Sequence, residues 1–273
     1  MKILVLDTDH TRGEHICSSL EMQGHSAQLA TNWQDAIGFL QKDRFPMVLL
    51  DKQVLDAKAQ NISAMRRSSL GYIYTIVMCD EDFDESASDI GSNAYVVGNI
   101  NLDTIEKAVN TASDFVMRSK QLSNDAEDFP SAGGVISKSA FYQLFLSAMQ
   151  RAGRYNELEF VLFIAIDNYK NILVEDGEYS ANHATARLAH HLAQTRRQSD
   201  ILAQTGHHEY AILFLRPDDK DEPIEATRRF ANTLSTIRDY TTGLSDVNVT
   251  LKLQTLPSGD IIDEHTFSVS GQN

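Results

Sequence analysis

Short apolar runs alternate with amphipathic stretches along the first 120 positions. Residues 3–6, 27–29, 47–50, 73–78 and 94–97 read as strands. Between them, residues 11–22, closed by Gly24, and the stretch from the N-cap Asn32 to Lys42 read as helices. Leu102, Ile105, Val109, Ala112 and Val116 recur at helical spacing and predict a last amphipathic helix. Unbroken apolar strands separated by helices predict an α/β domain over residues 1–120, with a doubly wound parallel sheet covered on both faces. Ligands of such sheets gather at the carboxyl ends of the strands. Here those ends carry Asp7 and Asp9 after the first strand and Asp51 after the third. Converging carboxylates suit a hard cation, so Asp7, Asp9 and Asp51 are the candidate ligands for Mg2+.

Periodicity lapses from Ser119 to Gly134, where Ser, Asn, Asp, Pro and Gly gather, and residues 121–134 read as a linker. A second domain then occupies 135–273. It opens with a helix over 138–152 that places Phe141, Leu144, Phe145 and Met149 on one face, followed by a strand over 159–166. Strands over 200–205 and 211–215 flank Gly206-His207-His208-Glu209-Tyr210, the rhythm of a hairpin. A strand over 247–254 and a turn over 256–260 follow.

Composition narrows the class. The 273 residues accommodate two domains of ordinary size, and 42% apolar residues mark a globular chain. No apolar run approaches the ~20 residues of a membrane span. Met1-Lys-Ile-Leu-Val-Leu6 leads straight into Asp7, which reads as a strand and not a signal peptide. A formal net charge of −14 argues against general affinity for nucleic acid. Cys17 and Cys79 form no CxxC pair, which fits a reducing cytoplasm, and Cys17 reads as small core filling.

The first 120 residues resemble the receiver domain of two-component response regulators, a flavodoxin-like fold. Asp51, in Val48-Leu-Leu-Asp51, falls on the family's phosphoacceptor. The family's acidic pair reads Asp7-Thr8, its Ser/Thr after the fourth strand falls on Cys79, and its lysine falls on Gly98-Asn99. Phosphorylation of a carboxylate relies on a cation and a lysine to neutralise accumulating charge. A thiol is a weak donor and glycine has no side chain to offer. The resemblance therefore implies a pseudo-receiver used for folding, dimerisation or partner contact, with useful phosphorylation of Asp51 as the alternative.

Residues 128–260 resemble GGDEF domains, the bacterial diguanylate cyclases that make cyclic di-GMP. This implies an α/β domain with a mainly antiparallel central sheet. The family's Gly-Gly-Asp/Glu-Glu-Phe turn falls on Gly206-His207-His208-Glu209-Tyr210. Its Asp-x-Asp-x-Phe-Lys strand end falls on Ala165-Ile-Asp167-Asn-Tyr169-Lys170, with Ala165 at a metal ligand. Its two guanine readers fall on Leu173 and Asn182, and its opening turn keeps only Asp128 and Gly133. Its closing helix is missing or much reduced in the last thirteen residues. Joining two GTP molecules requires metal ions clamped to the triphosphate, and alanine binds none. The resemblance thus implies no catalytic residue, with Asp167, Lys170 and Glu209 vestigial and no cofactor required. His183, His190, His191, His207 and His208 show no metal-ligand spacing and read as surface or turn residues.

Arg197-Gln-Ser-Asp200 ends five residues before the turn, the spacing of the family's Arg-x-x-Asp product site. Arg228 falls on the family position that supplies a second arginine, often from a neighbouring domain, and Arg196 is at hand to assist. A guanidinium fork makes charge-assisted bonds of roughly 1.5–3 kcal/mol each. The same pattern also describes a plain surface ion pair worth ~0–1 kcal/mol. The leading expectation is a catalytically inactive, cytoplasmic, homodimeric signalling protein. It binds cyclic di-GMP through Arg197, Asp200 and Arg228 and conveys that state to a protein partner. The alternatives are a ligand-independent interaction module and a weakly active diguanylate cyclase controlled by its receiver.

Overall fold

The computed structural model describes residues 1–55, 62, 64–66, 72–79, 91–98, 100–124, 126–129, 131–238 and 240–270. Asn99 lies outside the described residues. Contacts divide the chain into two units, with Met1–Gln121 forming most of the first and Leu122–Met149 and Glu157–Leu256 most of the second.

In the N-terminal unit, β1 (Lys2–Leu6), β2 (Ser26–Ala30), β3 (Met47–Asp51), β4 (Tyr74–Cys79) and β5 (Ala94–Val97) form one sheet in the order β2-β1-β3-β4-β5. Every pair is parallel, with Leu6 opposite Leu50 and Asp51 opposite Met78. The strands are apolar throughout because both faces are covered. Leu4, Leu6, Val48, Leu50 and Val77 enter one core cluster with Ala36 and Leu40 of α2 (Trp33–Lys42). Ile3, Val5, Leu49 and Ile76 alternate with them and are equally buried. Asn32 caps α2 by accepting from Asp35 N, as its position predicts. Gly24, at φ +83°, follows α1 (His10–Met22) in the left-handed conformation that ends helices. The α3 helix (Leu102–Leu122) is amphipathic and buries Ile105, Val109, Ala112, Phe115 and Val116.

In the C-terminal unit, β6 (Glu159–Ile166), β7 (Ile201–Gly206), β8 (Glu209–Leu215), β9 (Val247–Leu256) and β10 (Ile261–Val269) stand in the order β10-β9-β6-β8-β7. All pairs are antiparallel. Helices α4 (Lys138–Tyr155, in this unit as far as Met149), α5 (Tyr169–Glu175), α6 (Gly177–Thr195) and α7 (Asp221–Ser235) complete the unit. Phe160, Leu162, Ile164 and Ile166 share a core with Leu188, Leu192, Phe230 and Leu234. The last strand is new relative to the sequence reading, which assigned no element beyond residue 260. Asp263, His265, Phe267 and Val269 alternate inward along β10, which α7 contacts. The two charged members disguise the period-two pattern.

Candidate functional site

The residues singled out in the sequence fall into three groups, one in the first unit and two in the second. At the carboxyl edge of the parallel sheet, β1 delivers Asp7 and β3 delivers Asp51, both buried. Asp9 does not join them. Its carboxylate turns to the start of α1 and accepts from Thr11 N at 2.9 Å and Arg12 N at 3.1 Å. An aspartate directly before a helix satisfies orphan N–H groups there, and that use displaces the expected role as a metal ligand.

Arg12, from the first turn of α1, enters the space between the two buried carboxylates. Its Nε donates to Asp7 Oδ2 at 2.6 Å and its Nη2 to Asp7 Oδ1 at 2.8 Å, while Nη2 also donates to Asp51 Oδ2. These hydrogen bonds, first those to Asp7, raise the guanidinium pKa above its ordinary value. Asp51 Oδ1 accepts from Gln53 N at 3.0 Å. Cys79 is buried and leans on Val77 O at 3.9 Å. Mg2+ wants near-octahedral oxygen ligands. The residues present offer two carboxylates already clasped by a guanidinium, and they do not fit that ion. Sequence reading missed Arg12 because a cation on an amphipathic helix reads as solvated surface.

The second group lies at the end of β6 in the C-terminal unit. Ala165 stands directly opposite Glu209 of β8 and Thr250 of β9. Asp167 accepts from the Thr250 hydroxyl at 2.5 Å, and Lys170 lies exposed on α5. His207 and His208 form the turn between β7 and β8, one residue shorter at its start and two at its end than the segment read from sequence. The His208 ring stacks on Tyr169, with centroids 4.9 Å apart and planes 9° from parallel. Tyr169 donates its hydroxyl to Asn182 Oδ1 at 3.1 Å. Tyr210 is buried under α6 and donates its hydroxyl to Thr185 O at 3.0 Å, which satisfies the group that tyrosine adds over phenylalanine. Asp128 accepts from Ser139 N at 3.2 Å and from the Ser139 hydroxyl at the head of α4, which lowers its carboxyl pKa.

The third group is a small open cleft of about 190 Å³ where α6 gives way to β7. Arg197, Asp200, Arg216, Asp218 and Glu222 supply its charged lining. Asp200 is buried and accepts from Arg197 N at 2.8 Å, which closes the turn between helix and strand. The Arg197 fork reaches Glu222 Oε1, and Glu222 Oε2 also accepts from Asp218 N at 3.0 Å. Arg228 is not brought here. It sits on the face of α7 toward β10, 4.0 Å from Asp263, and is not among the residues lining the cleft. Arg216 is the second cation in the cleft's lining. It lies just after β8 at φ +51° and pairs with Glu157 at 2.9 Å. Arg196 turns back onto the carbonyl of Asp200 at 2.9 Å and serves the turn itself.

Residues 131–256 match the family described as diguanylate cyclase, GGDEF domain, so this segment of the chain is a GGDEF domain. Among solved structures, the chain is similar to a two-component response regulator from Clostridium difficile. The identity is 23%, coverage is 43% of this chain and 96% of that one, and the TM-score is 0.36. A chemotaxis protein CheY4 from Vibrio cholerae shows 17% identity over 40% of this chain and 95% of that one, at a TM-score of 0.36. The GGDEF domain of YfiN (TpbB) from Pseudomonas aeruginosa shows 22% identity over 44% of this chain and 76% of that one, at a TM-score of 0.38. A search of curated proteins returns no match. The order β2-β1-β3-β4-β5 of the N-terminal unit is itself the doubly wound arrangement of receiver domains. Among the described residues, no helix is long and apolar enough to cross a membrane.

Proposed function

We propose that this receiver-like and GGDEF pairing is a cyclic di-GMP signalling protein that binds the nucleotide without making it. The observation that carries the reading is Ala165. It occupies the strand position opposite Glu209 where a GGDEF cyclase would place its second metal-holding carboxylate. With alanine at 165 and His208 at the turn's first acid, Glu209 is left without those two carboxylates, and the clamp on a triphosphate lacks the oxygen ligands that neutralise transition-state charge. The stacked Tyr169 and His208 rings further crowd the edge where the resemblance places the substrate.

Binding falls to the cleft beside Arg197. Its volume suits a phosphate and one guanine edge and falls short of a whole dinucleotide, whose remainder would lie on open surface. Arg197 supplies a planar fork, Arg216 a second cation, and Asp200 a buried acceptor for guanine N–H groups. A homodimer that passes the bound state to a protein partner completes the proposal. Calorimetric titration with cyclic di-GMP tests it: wild type gives saturable heat at micromolar concentrations, and Arg197→Ala loses most of it. Absence of heat from wild type, or equal affinity in Arg197→Ala, removes the assignment.

One observation favours a second reading, a ligand-independent interaction module. The protein already engages these groups itself, Arg197 with Glu222 and Asp200 with the Arg197 backbone. Partner capture that is identical for wild type and an Arg197→Ala/Asp200→Ala variant, with no nucleotide binding by either, supports that module.

A further inference from the structure

We infer that Arg12 is the resident cation of the N-terminal carboxylate pocket: its guanidinium fills the space between Asp7 and Asp51 that a divalent ion requires, so the pocket takes neither Mg2+ nor a phosphoryl group. The hydrogen bonding is nearly saturated. Asp7 Oδ1 accepts from Asp9 N at 2.8 Å and from Arg12 Nη2 at 2.8 Å, and Asp7 Oδ2 accepts from Arg12 Nε at 2.6 Å. Asp51 Oδ1 accepts from Gln53 N at 3.0 Å, and Asp51 Oδ2 accepts from Arg12 Nη2 and from the Thr8 hydroxyl at 3.5 Å. An ion entering from water must break the bidentate Arg12–Asp7 pair and evict a guanidinium that cannot lose its proton.

The eviction is opposed by local structure. Asp9 caps α1 through Arg12 N, so the backbone that carries the guanidinium is pinned beside the pocket. A tethered cation competes with free ions at high effective concentration. The charge balance works against phosphorylation as well. Two buried carboxylates and one guanidinium leave the pocket net negative, and a phosphoryl group on Asp51 would add further negative charge with no new cation. Both Asp51 oxygens are already acceptors, Oδ2 for Arg12 and Oδ1 for Gln53 N. This unit therefore holds one state, set by its own sequence, whatever the supply of phosphoryl donors.

The test uses the full-length protein and Mn2+, followed by electron paramagnetic resonance. Wild type shows no saturable Mn2+ binding at millimolar concentrations. Arg12→Met keeps the apolar length of the side chain and removes the charge. It gains Mn2+ affinity at least tenfold, and adding Asp51→Asn abolishes the gain. Incubation with acetyl phosphate leaves the intact mass of wild type unchanged. Binding of Mn2+ by wild type as tightly as by Arg12→Met, or a phosphoryl adduct on Asp51 of wild type, overturns the inference. So does a folded Arg12→Met that gains no Mn2+. Should Arg12→Met fail to fold, the wild-type measurements alone decide: silence supports the inference and binding sinks it.

Discussion

Placing aspartate at position 165 converts the central strand into a charge sensor. Residue 165 is directly opposite Glu209, and both are partly exposed. Facing residues of antiparallel strands hold their Cβ atoms about 4.5–5.5 Å apart. Two like charges at about 5 Å repel by ~0.8 kcal/mol at the dielectric of water and by ~3 kcal/mol at an effective dielectric of 20. Partial exposure places Ala165→Asp in the lower half of that range, a destabilisation of about 1–2 kcal/mol in chelator. A divalent ion bridging the two carboxylates reverses the sign. At a hundredfold excess over its dissociation constant it contributes ~2.7 kcal/mol, enough to restore or exceed wild-type stability. Differential scanning calorimetry is the suitable assay, because it resolves the transitions of two units in one chain. The expected pattern is a lowered transition for Ala165→Asp in EDTA, recovered in millimolar Mg2+, with wild type indifferent to both. A variant as stable as wild type in EDTA, or one that Mg2+ fails to rescue, refutes the placement of position 165 in a metal clamp.

Other outcomes follow from named contacts. Glu222→Gln frees the Arg197 fork from an exposed ion pair worth ~0–1 kcal/mol, so cyclic di-GMP binds up to roughly fivefold tighter by titration. Asp176 accepts from Leu244 N at 3.3 Å and Ser245 N at 3.0 Å, and the neighbouring Ser245 side chain, followed by these backbone bonds, lowers its pKa in the folded protein. Its stabilisation is therefore present above the unfolded carboxylate pKa of ~3.9 and lost as pH falls through the lower folded value. Asp176→Asn accordingly loses less stability than wild type between mildly acidic and strongly acidic buffer, as read by melting temperature. Burial pushes the Cys17 thiol up to about 11, and Cys79 is almost wholly inaccessible. Both thiols therefore react with a disulfide reagent far more slowly in native protein than after unfolding.

Much of the fold was legible because its signals are local. Apolar strands such as Met47–Asp51 and the cap at Asn32 need no tertiary information to read. The hairpin was found from the turn between two apolar runs, displaced only at its ends. Strand β10 was not legible, because Asp263 and His265 occupy inward positions that a core pattern would fill with apolar residues. Asp9 was misread for a physical reason: an aspartate after a strand and before a helix fits both a ligand and a cap, and here the orphan N–H groups take it. Arg12 depends on the convergence of α1 with two parallel strands, which spacing along the chain does not encode. Arg228 was assigned through the family resemblance, which spacing cannot place relative to the cleft, and it lies toward β10 beside Asp263. Arg216 reaches the cleft from a residue in left-handed backbone, a conformation that composition gives no reason to expect of arginine.

Incubation of the wild-type protein with GTP and Mg2+, with nucleotides resolved by chromatography, tests the loss of synthesis most directly. The expected result is that no cyclic di-GMP forms above the enzyme-free blank. Accumulating product that vanishes in Glu209→Ala would contradict it.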